Sequence, residues 1–342
     1  MSVLILTRFS SLHAFAHRGQ SPQVEDRWSE DRYTSLVAAP GVLAWLLDSD
    51  PAIRWQVMRD LIDADAPTVK VERARVAREG WGSRLLDLQA GDGNWGGGPY
   101  SPKWTSTMYT LLLLRHLGVD PTDERVRKAI DLVGERVRLG SKPFFLYSAE
   151  MCMTGMALAL GSYFLDRPID LPQPALALER QKRDGGWNCR AGSERSSFHT
   201  TISVLEGILE YEKAMGADAA LSEARHRAHE YLLERRLMYS MTTGELINER
   251  WLLMSFPPRW FYDVIRALDY LQDAAVAADP RWEEAIEVIL SKRRKDGTWP
   301  LQNRHAGRVH FDMEEGSGKP SRWNTLRALR VLRWQGSTEE VI

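Results

Sequence analysis

Gln89-Ala90-Gly91-Asp92-Gly93-Asn94-Trp95 has the spacing Gln-x-x-x-Gly-x-Trp. The spacing returns at Gln181-Lys182-Arg183-Asp184-Gly185-Gly186-Trp187, and again from Arg293 to Trp299 with Arg in place of Gln. Each copy follows an amphipathic stretch and precedes a polar loop and then a strongly apolar one. Copies at a long, roughly even period mark a repeat architecture, in which no unit buries its apolar face alone.

Working outward, each amphipathic stretch pairs with the apolar helix behind it, giving six hairpins. In five of them the second helix is read as opening with a polar residue and an aromatic: Arg54-Trp55, Lys103-Trp104, Ser197-Phe198, Arg259-Trp260 and Arg322-Trp323. The third hairpin has Glu150-Met151 there. Asp50-Pro51 and Ser101-Pro102 read as a cap and a first helical residue. Arg115-His116-Leu117-Gly118 reads as a basic last turn and a C-cap glycine. Outer helices are predicted over about 69–89, 124–139 and 282–293, each amphipathic. β-branched alternation is scarce, so no sheet is predicted. Helices apolar on most faces need cover on both sides. The expectation is an all-α double ring over residues 36–342, one domain, with parallel inner helices around a cavity. Residues 1–35 are expected to be a loosely structured lead-in.

Composition narrows the partners. Net charge is −1 over 342 residues, which excludes a broad nucleic-acid surface. Two cysteines, Cys152 and Cys189, make no disulfide framework and suit a reducing, cytoplasmic compartment. No apolar run is long enough to span a bilayer, and the N-terminus lacks the basic region and cleavage site of a signal peptide.

The three motif copies resemble the QW motifs of squalene and oxidosqualene cyclases. The repeat layout over residues 40–335 also resembles the β subunits of protein prenyltransferases. Both families are α6/α6 toroids, and the resemblance implies that fold here. It also implies a structural motif: Gly for a tight turn, the Trp ring packed on the next repeat, and the Gln amide on free backbone groups at a helix end.

Parallel inner helices would gather six N-termini at one rim, where their dipoles sum to a positive field. Arg54, Lys103, Arg259 and Arg322 belong to that rim. With apolar walls, such a mouth suits an isoprenoid or other apolar chain with an anionic head. The other reading pairs these basic residues with acids of adjacent loops. Trp104, Tyr109, Phe198, Trp260, Tyr262 and Trp323 would line the mouth and stabilise cationic character on their π faces.

Glu150-Met151-Cys152 and Phe198-His199-Thr200 open neighbouring inner helices. They resemble the Asp-x-Cys and Tyr-His-Thr of protein prenyltransferases, with Glu for Asp and Phe for Tyr. The resemblance implies Zn2+ on Glu150, Cys152 and His199, with Cys189 or Asp263 as a further ligand. The other reading is a small buried Cys and a hydrogen-bonded His. The cyclase alternative needs an acid, and the Asp-x-Asp-Asp run of squalene cyclases is absent. The acid would be Asp263, Glu150 or Glu206 with its pKa raised by burial, and Glu206 and His199 would share a helix face. The long polar loop Leu301 to Lys319 is either a lid or a solvated connection.

The expected function is a cyclase- or prenyltransferase-like enzyme. The alternatives are a non-catalytic hydrophobic-ligand-binding toroid and a protein-interaction scaffold. The expected partners are a small apolar or isoprenoid ligand and, at the periphery, a membrane surface. The oligomeric state is open.

Overall fold

Asp50 organises the start of the fold. It caps α2 (Pro51–Asp60), which follows α1 (Pro40–Leu47): its Oδ1 accepts the Ala52 N–H at 2.9 Å, and Pro51 takes the first helical turn. Its Oδ2 accepts the Trp81 N–H at 2.7 Å. Gly80 lies beside this carboxylate at φ +62°, where no Cβ would fit. The outer helix expected over 69–89 is therefore two helices, α3 (Ala66–Arg75) and α4 (Gly80–Leu86). The structure is a computed structural model, and it describes residues 40–166, 170–190 and 192–339. The lead-in expected over residues 1–35 lies outside the described residues.

The described residues are mostly helical, as expected. The remaining helices are α5 (Thr107–Leu117), α6 (Glu124–Arg136), α7 (Met151–Phe164), α8 (Gln173–Arg180) and α9 (Phe198–Met215). They continue with α10 (Ala219–Leu233), α11 (Val264–Asp273), α12 (Glu283–Ser291) and α13 (Arg322–Glu339). Gly118 ends α5 in the left-handed conformation at φ +75°, as the sequence predicts. Two corrections concern the helix starts. Lys103-Trp104 and Arg259-Trp260 lie in turns before α5 and α11 rather than opening them, and Asp263 is the N-cap of α11. Pro257, Pro258 and Arg259 at φ +60° delay the second of these helices. The expectation of no sheet needs a small amendment. Arg138–Leu139 (β1) pairs antiparallel with Lys142–Pro143 (β2), and Trp299–Pro300 (β3) with Pro320–Ser321 (β4). No helix of the described residues is long and apolar enough to cross a membrane.

The apolar helices touch in succession. The Trp55 indole of α2 donates to Leu117 O of α5 at 2.9 Å. Helix α5 packs on α7. Helices α7 and α9 meet through glycine: a Cβ at Gly155 would lie 2.5 Å from Ser203 O, and one at Gly207 2.5 Å from Gly155 O. Arg266 of α11 grips Glu206 of α9, with two N···O distances of 2.8 Å. Arg327 of α13 bonds Asp269 of α11 at 3.1 Å, and Arg330 of α13 reaches Asp60 of α2 at 3.2 Å.

The repeated motif is one device used three times. Gly93, Gly185 and Gly297 turn the chain at φ +86°, +92° and +81°. Trp95, Trp187 and Trp299 are fully buried, and each ring N–H donates to a carbonyl at the end of the preceding helix: Leu85 at 2.7 Å, Ala177 at 2.8 Å and Ile289 at 2.7 Å. Each Trp backbone N–H donates to a threonine of the following apolar helix: Thr107 at 3.1 Å, Thr201 at 3.0 Å and Thr325 at 2.9 Å. Gln89 and Gln181 donate to α6 and α10, at Ala129 O (2.9 Å) and Ala224 O (2.6 Å). At the third copy Arg293 lies over the Trp299 ring instead, 5.6 Å from its centroid.

Candidate functional site

A cavity of about 530 Å3 lies among the apolar helices, within the range of small-molecule sites. Trp55, Gln56 and Asp60 (α2), Arg115 and His116 (α5) and Tyr163 (α7) line it. So do Glu206 and Glu210 (α9), Arg266 and Asp269 (α11), and Trp323, Arg327 and Arg330 (α13). The walls are thus ionic where apolar ones were expected. Helices α2, α5, α9, α11 and α13 each place one to three charged groups on this wall, and α7 places Tyr163 there.

The charges are cross-linked. Arg115 pairs with Glu210 at 2.5 Å, Arg330 with Asp269 at 2.7 Å and Lys213 with Asp273 at 2.7 Å. Burial pushes the Asp269 carboxyl up, but Arg330 and Arg327 outweigh this and hold it below the usual range. Glu206 behaves alike: burial raises it, and the charge and hydrogen bonds of Arg266 lower it further than burial lifts it. The expected Glu206–His199 pair does not form, because Arg266 from the next helix takes the carboxylate. The His116 imidazole is pushed down to about 3 by burial and by Arg115, so it is neutral. Arg73 hydrogen-bonds neutral groups, Gly118 O at 2.9 Å and Tyr163 Oη at 3.0 Å. Seven cationic side chains and five carboxylates line the cavity, so it favours an anion.

At the N-terminal ends of α7, α9 and α11 the surroundings are aromatic. The Tyr262 N–H donates to His199 Nδ1 at 2.7 Å, which leaves the ring proton on Nε2. Burial, then Arg266, lowers this imidazole to about 4. Trp251, Trp260 and Phe261 present rings to it, the nearest centroid at 5.2 Å. Trp260 stacks on Phe261 at 4.0 Å, and Phe261 on His305 at 4.2 Å. Trp104 donates to Ala306 O at 2.9 Å, which pins the loop from Leu301 to Lys319, and sets its edge on Tyr109 at 4.7 Å. Arg259 lies 5.4 Å over the Trp104 ring, and burial brings its pKa down to about 10. Lys103 is exposed over Tyr100, Trp104 and Trp260.

No protein-family model and no curated protein matches the chain. Among solved structures it is similar to a protein from Actinoplanes, with 15% sequence identity, 89% of this chain and 99% of that one covered, and a TM-score of 0.41.

The residues expected at one mouth therefore divide. Lys103, Trp104, Tyr109, His199, Arg259 and Trp260 belong to the aromatic region, and Phe198 and Tyr262 are buried in its base. Trp323 instead lines the cavity, stacked on Phe256 at 4.3 Å. Arg54 is consumed by Glu72 at 2.5 Å, and Arg322 by Trp45 O and Asp48 O at 3.3 and 3.0 Å. Arg54 follows the ion-pair reading, while Arg322 is spent on backbone carbonyls. Asp263 is buried, and burial raises its carboxyl, yet its Oδ1 caps α11 through the Arg266 N–H at 2.8 Å and the residue stands outside the cavity wall.

The residues of the implied zinc set each have other neighbours. Glu150 is exposed and makes no side-chain cap bond, and His199 faces Tyr262 and aromatic rings. Cys152 meets Cys189 instead: the Cys152 N–H donates to Cys189 Sγ at 3.1 Å and the Thr200 hydroxyl donates to it at 3.3 Å. Among the described residues no three His, Cys, Asp or Glu side chains stand together as metal ligands. No step is assigned to Zn2+. Sequence reading missed Arg115, Arg266, Asp269, Arg327 and Arg330. The available signal was Arg327-x-x-Arg330-x-x-Arg333, charges repeating on one face of the last apolar helix.

Proposed function

We propose that the chain is an α6/α6 ring of helical hairpins that binds a small ligand with an anionic group in the cavity among its inner helices. The succession of contacts from α2 through α5, α7, α9, α11 and α13 back to α2 supports the ring. The excess of cations over carboxylates in the lining carries the ligand reading. The anionic head expected from the sequence is retained. The ionic walls favour a polar, multiply charged head over a bare hydrocarbon, and Phe256 with Trp323 gives an unsaturated tail an aromatic flank.

Binding is favoured over turnover. Of the two α9 carboxylates in the wall, Glu210 is paired with Arg115 and Glu206 is held ionised by Arg266, while the carboxyl that burial raises, Asp263, is outside the wall. Neither position combines access with a proton to give.

Calorimetric titration with farnesyl diphosphate, inorganic diphosphate and farnesol tests the reading. Farnesyl diphosphate and diphosphate are expected to bind, with affinity falling as salt rises. Farnesol binding as tightly as farnesyl diphosphate would overturn it, as would the absence of binding by either diphosphate.

A further inference from the structure

The two cysteines of this chain lie 37 positions apart in sequence, yet the Cys189 sulfur sits 3.1 Å from the backbone nitrogen of Cys152. Two features bring them there. The first is the glycine contact at Gly155 and Gly207, which lets α7 and α9 run close together and aligns their N-terminal ends. The second is the Trp187 motif. Trp187 is pinned by its ring to Ala177 O and by its N–H to Thr201, and Ser197 N–H returns to Trp187 O at 2.8 Å. Cys189 follows two residues later, so its position is fixed by the repeat.

The sulfur there does the work of a helix cap. Glu150 and Ser197, the N-cap residues of α7 and α9, make no side-chain cap bonds. Cys189 Sγ instead accepts the Cys152 N–H from the first turn of α7 and the Thr200 hydroxyl from the first turn of α9. One helix N-terminus and one hydroxyl therefore donate to this sulfur, and both favour negative charge on it. Both cysteines are half-buried, so a small reagent has access. A buried structural cysteine has neither feature.

We infer that Cys152 and Cys189 are a redox-active dithiol that reacts with small-molecule disulfides and closes to a Cys152–Cys189 bond. Cys189 gives its thiol proton to water, and its sulfur attacks one sulfur of the small disulfide. The S–S bond of the reagent breaks, its second sulfur leaves as a thiolate and takes a proton from water. Cys152 then gives its proton to water and attacks Cys189 sulfur; the S–S bond between Cys189 and the captured group breaks, and that group leaves as a thiolate and takes a proton from water. Two protein thiols and one disulfide become one protein disulfide and two small thiols, and two electrons pass from the protein to the reagent.

The test uses the full chain, reduced and freed of reductant, with bis(2-hydroxyethyl) disulfide as the probe. Intact mass under denaturing conditions is expected to fall by two hydrogens with no reagent retained, and peptide mapping to join Cys152 to Cys189. Cys152→Ser is expected to stop at a mixed disulfide on Cys189. Cys189→Ser is expected to slow the reaction at Cys152 by about tenfold or more. Separate adducts on both cysteines of the wild-type chain, no reaction of the folded chain, or faster capture by Cys152 than by Cys189 would each overturn the inference. The wild-type mapping stands whether or not the variants fold.

Discussion

Replacing Thr201 by Val should destabilise the fold by about 2 kcal/mol. Val has the shape of Thr, so no cavity opens, but the buried Trp187 N–H loses its acceptor at 3.0 Å. Leaving one buried donor unsatisfied costs about 1–3 kcal/mol. The same substitution applies to Thr107 and Thr325, which accept the Trp95 and Trp299 N–H groups. The single Thr107 hydroxyl proton has two acceptors in reach, Asn94 Oδ1 and Gly98 O, both at 3.1 Å, so Thr107→Val should fall at the upper end of that range. The three sites belong to different repeats and share no partner, so their effects should add. The triple variant should lose on the order of 6 kcal/mol, a large share of the roughly 5–15 kcal/mol that holds a domain together. Guanidinium unfolding is the assay, with the midpoint falling and the slope unchanged. Thr→Ser variants keep the hydroxyl and should lose only the buried methyl, about 1 kcal/mol each. Three Thr→Val variants all within about 0.5 kcal/mol of wild type would refute the view that the Trp motif is anchored through these hydroxyls.

Gly155→Ala should destabilise by about 1–2 kcal/mol, because overpacking against the Ser203 backbone outweighs the helix propensity gained. Gly134→Ala in α6, with open space around it, should stabilise by up to about 1 kcal/mol, and thermal melts of the pair check both signs. For Asp263 the folded pKa is raised, so its contribution is full below the unfolded value of about 4 and is lost as pH rises through the folded one. Asp263→Asn keeps a cap acceptor and removes this loss, so its stability relative to wild type should improve between pH 4 and pH 7, as read from urea midpoints. A chelator should leave diphosphate binding unchanged, since the proposed binding rests on the cationic side chains of the cavity and not on Glu150, Cys152 or His199.

The fold was legible wherever the signal is local. A cap and proline at Asp50-Pro51, a glycine at Gly118 and three Gly-x-Trp turns all sit within a few residues of what they control. The helix breaks were less so. Gly80 interrupts an outer helix because a carboxylate thirty residues earlier occupies its Cβ space. The site was least legible. Arg266 meets Glu206, and Arg327 and Arg330 meet Asp269, across helices about sixty residues apart. In its own window none of these charges shows which helix supplies its partner. Arg54 and Arg322 illustrate the opposite error, since their place near helix starts was right and their charge is spent on Glu72 and on the α1–α2 carbonyls.

The most direct test of the cavity as the ligand site is diphosphate affinity in two single-charge variants at its half-exposed ion pair, Lys213 with Asp273. Each change alters the charge facing the ligand by one, worth about 1 kcal/mol after salt screening, or about fivefold in affinity. Lys213→Gln is predicted to weaken binding and Asp273→Asn to tighten it by similar factors. Equal affinity in both variants and in wild type would contradict the account, because the anion would then bind away from this cavity.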